Sequence, residues 1–330
     1  MTIKKKLKVG SLYAGIGGIC LGFQNNGFDI AWANEYDKNA CITYRENFKH
    51  ELIEGDIMEI NISNLEPIDV LAGGFPCQPF SVAGYRKGFE DSRGNHFFRM
   101  LDFIDEKRPK VLFFENVKNL VGHDKGNTFK VIKQEIETRN YTFFSKVLNT
   151  KDFGNIPHNR ERIFMIGFDN DVYPNSSNLF RFPKNEQLTK SVVDLILEEK
   201  VEETYFYRED KYMFDILNSS IIDEKTIYQF RRHYVRENKS SVCPTLTANM
   251  GTGGHNVPLI KTNYGIRKLT PRECFRFQGF PDSYIIPKIA NSHLYKQAGN
   301  SVSVPVIEKV VKNILKTING INCKEDDELF

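Results

Sequence analysis

Strong net charge is missing from this chain. Its 330 residues carry 45 Lys and Arg against 42 Asp and Glu, a formal net charge of +3, too mild to name a polyanion as partner. Cysteine is sparse: the six are Cys20, Cys41, Cys77, Cys243, Cys274 and Cys323. None forms a Cys-x-x-Cys pair, so no zinc pattern is present and no metal is expected. Their wide spacing reads as reduced thiols in a cytoplasmic protein rather than a disulfide framework. No apolar segment is long enough to span a bilayer, so no membrane partner is expected. Internal repeats and low-complexity tracts are lacking. Lys4 to Lys6 precede an apolar run, Val9 to Phe23, that superficially resembles a secretory signal. Gly10, Gly15, Gly17, Gly18 and Gly22 crowd that run, and no small-residue cleavage site follows before Gln24-Asn25-Asn26. A strand, a glycine turn and a helix start are expected there instead.

What is present is ordinary globular composition, 40% apolar and 26% charged, in a length that suits one large domain or two. The first half alternates short apolar runs with helical patterns. Leu7 to Tyr13, Ile30 to Asn34, Val70 to Gly73, Lys110 to Glu115 and Ile163 to Gly167 read as strands. Ile19 to Asn26, His96 to Glu106 and Thr128 to Arg139 read as helices, with another ending at Tyr44. That alternation implies βαβ units and an α/β fold with a mostly parallel sheet. From about Asn170 the pattern degrades into an irregular stretch with a glycine cluster at Gly251, Gly253 and Gly254. Glu186 to Glu224 holds eleven acidic residues against four basic ones, and Thr226 to Thr262 reverses the balance. On charge alone, two solvated surfaces explain that better than one face turned toward a polyanion. Ile307, Val310, Val311, Ile314, Leu315 and Ile318 sit at helical spacing and need a surface to bury against.

Four constellations carry chemistry. Tyr13-Ala14-Gly15-Ile16-Gly17-Gly18 lies between a strand and a helix, where glycines let backbone approach a ligand. Glu35 and Asp56 end the next apolar runs, at positions suited to a ribose and an adenine amino group. A Rossmann dinucleotide site is the plain alternative, although the spacing is not Gly-x-Gly-x-x-Gly. Gly73-Gly74-Phe75-Pro76-Cys77-Gln78-Pro79-Phe80-Ser81 places a cysteine in a stiff loop just past a buried strand. A lone cysteine is more often a small core residue, but its Pro, Gln and Ser neighbours argue against burial. Glu115-Asn116-Val117 ends another buried strand, and its carboxyl group borders the same crevice or caps a helix. Pro157-His158-Asn159-Arg160-Glu161-Arg162 sets two arginines two residues apart. In extended chain they share a side, to grip a phosphate or carbonyl oxygen or to form an ion-pair ladder with Glu161.

Taken together these segments resemble the C5-cytosine-specific DNA methyltransferase family, of the bacterial restriction–modification type, over nearly the whole chain and in order. The family's cofactor loop looks like Tyr13 to Gly18, its Pro-Cys-Gln motif falls on Pro76 to Gln78, and its Glu-Asn-Val motif on Glu115 to Val117. Its Gln-x-Arg-x-Arg motif falls on His158 to Arg162. Arg267 to Cys274, continuing to Gln278-Gly279-Phe280-Pro281, looks like its ninth motif, and Gln297 to Val302 its last. The chain departs from the family pattern at Tyr13 for Phe, His96 for Leu beside the cofactor and His158 for Gln, and Asn155 adds a residue to the turn before His158.

The resemblance implies an S-adenosylmethionine-dependent, Rossmann-like catalytic domain over residues 1–183 and 295–330. It implies a smaller, irregular target-recognition domain over 184–275, with 276–294 as hinge. Implied cofactor contacts are Tyr13, Gly15, Gly17, Gly18, Glu35, Tyr36, Asp56, Ile57, Pro76, Asn300 and Ser301. Implied catalytic residues are Cys77 as nucleophile on cytosine C6, Glu115 at N3, and Arg162 at O2 with Arg160 in support. Glu115 in that role needs a raised pKa. A thiol cannot reach C6 inside a stacked duplex, so the base must be flipped out. Ser81 to Arg99 is expected to form a mobile lid hinged at Gly84, Gly88 and Gly94, with Ser81, Arg86, Lys87 and Arg93 meeting DNA. Arg231, Arg232, Arg236, Gly253 and Gly254 are groove candidates, and Thr245 in Thr245-Leu246-Thr247-Ala248 is a backbone contact. The stretch Arg231 to Leu259 resembles regions that recognise CCGG- or CCNGG-like sites. The expected partner is double-stranded DNA, with a cognate restriction endonuclease in function only, and the expected state is a monomer. Rival functions are a C5-cytosine tRNA methyltransferase and a non-catalytic DNA-binding module. Roughly a hundred residues separate Arg162 from Arg272, the reach needed for groove reading, and this favours DNA.

Overall fold

The structure is a computed structural model and describes residues 6–76, 95–211, 213–231, 233–252 and 256–323. The chain packs as two compact units, residues 1–148, 161–184 and 306–330 in one, and 149–160 and 185–305 in the other.

The first unit is built on strands β1 (Lys8–Leu12), β2 (Asp29–Glu35), β3 (Glu51–Glu54), β4 (Val70–Gly73), β5 (Val111–Val117), β6 (Tyr141–Asn149) and β7 (Glu161–Asp169). Their order in the seven-stranded sheet is β3-β2-β1-β4-β5-β7-β6. The pairs β1–β2, β2–β3, β1–β4 and β4–β5 are parallel. All four residues of β4 and the first six of β5 are buried, which is why they read as continuous apolar runs. β7 runs antiparallel to β5, so the sheet is mostly parallel. β3 and β6 left faint sequence signals because they are edge strands, half-exposed along most of their length.

Helices α1 (Gly18–Asn25), α2 (Lys38–Asn47), α3 (Asn95–Lys107) and α4 (Asn127–Glu137) connect the strands. The side chain of Asp37 caps α2, accepting from the N–H groups of Asn39 and Ala40. The core joins Leu12, Trp32, Leu71, Phe103, Phe114 and Met165. The C-terminal helix, Val304–Ile318, buries Ile307, Val310, Val311 and Ile314 completely. It finds its expected surface on α1: a Cβ added at Gly22 would fall 2.5 Å from Ile307 Cγ2, and Asn25 Nδ2 donates to Glu308 Oε1 at 2.5 Å.

The second unit carries a four-stranded sheet ordered β9-β8-β10-β11, from β8 (Tyr228–Arg231), β9 (Tyr234–Glu237), β10 (Leu259–Thr262) and β11 (Gly265–Lys268). Helices α5 (Pro271–Phe277) and α6 (Asn291–Asn300) follow. Thr270 and Glu273 close a reciprocal capping box at the start of α5, with Pro271 in its first turn.

The packing units depart from the domain boundaries expected from sequence. Residues 149–160 join the second unit because His158 and Asn159 pair in parallel with Cys243 and Pro244. Residues 276–305 also join it whole, rather than dividing into a hinge and a return to the first unit.

Candidate active site

In the first unit the chain runs outward from β1 to β2 and β3, then returns to the other side of β1 as β4. That reversal opens a crevice at the carboxyl ends of β1 and β4, where open α/β sheets bind ligands. The turn Tyr13 to Gly18 leaves β1 there, and Gly74-Phe75-Pro76 leaves β4 there. Gly17 takes φ +83°, and a Cβ on it would sit 2.2 Å from the Phe48 ring. Only glycine satisfies both the left-handed backbone and the close packing.

Glu35, at the end of β2, binds this turn. Its Oε2 accepts from Gly15 N at 2.7 Å and its Oε1 from Asp37 N at 2.8 Å. Burial raises its pKa above the usual carboxylate value, opposed by those hydrogen bonds. Next to it Tyr36 is 74% exposed, a large ring with little protein cover. After β3, Asp56 is half-buried, its Oδ1 accepts from Met58 N at 2.9 Å, and Ile57 beside it is buried. Glycine turn, two carboxylates on successive strand ends and aromatic faces together fit an adenosine-bearing cofactor. The hydroxyl of Tyr13 meets His96 Nδ1 at 3.0 Å, and the two rings are edge-on at 5.7 Å.

The expected lid overlaps α3. Residues 95–99 are helical, and Arg99 donates to the carbonyl oxygens of Ile57 at 3.2 Å and Ile60 at 2.5 Å. Those contacts fix Arg99 on the fold.

Where β4 ends, Asn116 Nδ2 donates to Phe75 O at 2.9 Å, so the Glu-Asn-Val strand holds the chain entering the Pro-Cys-Gln motif. Pro76 is exposed. Cys77, Ser81, Arg86, Lys87, Arg93, Arg232, Gly253 and Gly254 lie outside the described residues. On β5, Glu115 is 7% exposed, and Arg162 Nε lies 3.0 Å from its Oε1. A Cβ at Gly74 would come within 3.2 Å of Glu115 Oε2, so the glycine leaves room for the carboxyl group.

Arg160 and Arg162 do not act as twins. Arg160 belongs to the second unit, where it is 2% exposed. Its guanidinium donates to the carbonyl oxygens of Leu246 at 3.1 Å, Gly299 at 3.2 Å and Ser301. His158 is fully buried nearby, its Nδ1 2.8 Å from Phe277 O, while its Nε2 accepts from Leu246 N at 3.3 Å. Both residues therefore bind the Thr-Leu segment from below. Thr245 is exposed and donates to Asn159 O at 2.6 Å. Asn300 is exposed at the end of α6, and Ser301 beyond it is buried.

The antiparallel ribbon of β8 and β9 pairs Arg231 with Tyr234 and Gln229 with Arg236. Strand alternation puts these four on one face. Tyr228, Phe230 and Val235, on the other, pack into the core with Leu217 and Leu259. Arg231 Nη2 donates to Gln229 Oε1 at 3.0 Å, and Arg231, Tyr234 and Arg236 are all exposed. Gln229 and Tyr234 were missed as candidates; the signal was the alternation in Tyr228-Gln229-Phe230-Arg231. Among the described residues no group of three or more His, Cys, Asp or Glu side chains is placed to hold a metal ion, and no helix is long and apolar enough to cross a membrane.

Comparison with known proteins identifies the family. The profile of the C-5 cytosine-specific DNA methylase family matches residues 7–316. The chain is 58% identical to the Type II methyltransferase M.Bsp6I of Bacillus sp. (strain RFL6), over 94% of this chain and 99% of that one. It is 41% identical to the Type II methyltransferase M.HhaI of Haemophilus parahaemolyticus, covering 93% and 94% respectively. Among solved structures, the S. pombe Dnmt2 methyltransferase superposes with a TM-score of 0.73 at 21% identity, covering 95% of this chain and 100% of that one; this likeness shows the fold. The chain belongs to the C-5 cytosine-specific DNA methylase family and is an S-adenosylmethionine-dependent DNA (cytosine-5-)-methyltransferase of the restriction–modification type.

Proposed function

We propose that the crevice between the carboxyl ends of β1 and β4 is where this transfer takes place, with the residues singled out in the sequence in the roles expected of them. The observation that carries the reading is the meeting of three features in one unit. These are the glycine turn bound by Glu35, the loop into Cys77 held by Asn116, and the Glu115–Arg162 pair at the same end of β5.

Tyr13, Gly15, Gly17, Gly18, Glu35, Tyr36, Asp56, Ile57 and Pro76 hold the cofactor, and Asn300 and Ser301 keep the cofactor contact that the family resemblance implies for them. When bound, S-adenosylmethionine supplies an electrophilic sulfonium methyl group. The thiolate of Cys77 attacks C6 of the flipped cytosine, and C5 becomes nucleophilic as the ring turns into an enamine. Glu115 hydrogen-bonds N3 and Arg162 binds O2, meeting the charge that develops on the ring. Arg160 has a supporting role, ordering the backbone of the Thr-Leu segment through the Leu246 carbonyl oxygen. Loss of the C5 proton and expulsion of Cys77 complete the turnover.

The second unit reads the DNA site. Arg231 and Arg236, with Gln229 and Tyr234 beside them, form a two-stranded ribbon of the width that a major groove admits. Thr245, Arg232, Gly253, Gly254 and the basic residues Arg86, Lys87 and Arg93, with Ser81, complete the contacts. The enzyme acts as a monomer on double-stranded DNA in the cytoplasm, alongside a cognate endonuclease.

Mechanism-based trapping tests the reading. Duplex DNA with 5-fluorocytosine at the target, given enzyme and cofactor, should form a covalent complex mapped to Cys77 by peptide mass spectrometry. Cys77→Ala should bind the duplex without transfer. Methylation by the Ala variant would end the nucleophile assignment.

A further inference from the structure

The first turn of α3 touches two of the loops that form the proposed cofactor pocket. His96 takes the hydroxyl of Tyr13 at Nδ1, 3.0 Å away, and Arg99, three residues on, takes the carbonyls of Ile57 and Ile60 just after Asp56. One helical face therefore ties the loop after β1 to the loop after β3. Tyr13 needs such a tie. Its backbone sits at φ +53°, a left-handed conformation that is unusual for a bulky residue and persists only where the surroundings over-determine it. Its hydroxyl is part-buried, so a lost partner is not fully replaced by water. Burial and the charge of Asp56 raise the phenol pKa, keeping the proton on the oxygen so that it can donate.

We infer that Tyr13 and His96 form a paired positioning device for the cofactor, in which the His96 imidazole fixes the Tyr13 ring at the pocket wall before the cofactor arrives. The inference rests on the pocket assignment made above and adds to it a hydrogen-bonded side-chain pair at two positions. Neither residue transfers a proton or a methyl group. Their contribution is pre-organisation: a ring already held by an edge-on imidazole and a hydrogen bond loses less freedom when a ligand packs on it.

The test is isothermal titration of the full chain with S-adenosylhomocysteine. Tyr13→Phe keeps the ring and removes the hydroxyl; His96→Leu removes the ring acceptor and leaves only the longer contact to the backbone carbonyl oxygen of residue 96, 3.4 Å from the hydroxyl. Each should raise Kd about threefold to tenfold, the range set by one hydrogen bond. The double variant should bind no more weakly than the worse single one, because both delete the same interaction. His96→Gln, which restores an acceptor, should recover at least half of the loss. In steady-state assays KM for S-adenosylmethionine should rise by a larger factor than kcat falls, while the Kd for DNA stays within twofold. Melting temperatures identify any variant that merely unfolds, and the His96→Gln rescue then decides. Losses that multiply in the double variant, or a Tyr13→Phe Kd equal to that of the parent, would overturn the pairing. Asp56→Ala separates the two levels. If it binds as tightly as the parent, the pocket assignment fails and the inference with it. If it weakens binding while Tyr13→Phe does not, only the pairing fails.

Discussion

Arg162 and Glu115 are joined across β5 and β7 by an ion pair of 3.0 Å between Nε and Oε1. The antiparallel register sets Glu115 opposite Phe164 and Val117 opposite Arg162, so the charged pair is a diagonal on one face of the sheet. Neither partner is free to swing. Exposure of their side chains is 9% for Glu115 and 15% for Arg162, and their orientation is set before substrate binds. Glu115→Gln and Arg162→Lys should each lower the single-turnover rate of methyl transfer by about 10²–10³-fold, the usual effect of removing one such donor. DNA affinity and the circular dichroism spectrum should hold. A variant that keeps a tenth of the parental rate would show that its side chain does not meet the developing charge.

The β8–β9 ribbon makes a second prediction. Arg231→Ala and Arg236→Ala, on the solvent face, should weaken binding to the target duplex while leaving S-adenosylhomocysteine binding unchanged. An arginine reading a base edge should lose about 1–3 kcal/mol of discrimination against a scrambled duplex. An arginine on a phosphate should instead weaken both duplexes equally and reduce the salt slope by about 1. Equal affinity of parent and variants for both duplexes, measured by fluorescence anisotropy, would remove the ribbon from the interface.

A third concerns stability. Arg267 and Glu273 form a bidentate pair at 2.8 and 2.7 Å, almost wholly buried. The same carboxylate accepts from Thr270 N at 2.7 Å and Leu197 N at 2.9 Å. Glu273→Gln leaves a buried guanidinium without its counter-charge and should cost about 3–5 kcal/mol, read from urea midpoints. Replacing both partners, Arg267→Met with Glu273→Leu, should recover part of that loss. A single-variant cost below about 1 kcal/mol would mean that water reaches the pair.

The fourth is pH dependence. Burial lowers the pKa of His50 from 6.5 to about 4, and its Nε2 lies 2.6 Å from Tyr44 Oη. Between those values the unfolded chain binds a proton that the folded chain refuses. Stability from this group is therefore present above about pH 6.5 and falls as pH drops toward 4. His50→Gln should lose less melting temperature than the parent between pH 7 and pH 4.5 (about half a unit above the folded pKa). Parallel melting curves for the two proteins would refute the shift.

Much of the proposed site could be written down from the sequence because its motifs are local. Glycines at Gly15, Gly17 and Gly18 announce a turn, and Glu35 and Asp56 announce strand ends, since a strand end at the crevice has one place to put a carboxylate. The buried strands β4 and β5 showed themselves as unbroken apolar runs. The edge strands β3 and β6, half-exposed, gave no such run. The ribbon needed its register before its polar face could be assembled, because Gln229 and Arg236 are partners across a turn.

From the sequence alone came the α/β frame and, through its resemblance to a known family, the reaction class and the cofactor, because the motifs and the buried strands are confined to short contiguous segments. Only the tertiary structure decided how Arg160 and Arg162 part company. Two residues apart and expected on one side, they end in different packing units, one spent on the carbonyls of Leu246, Gly299 and Ser301 and the other aimed at Glu115. Partners some 50 to 140 residues away along the chain set those directions, and long-range partners leave no mark on local pattern.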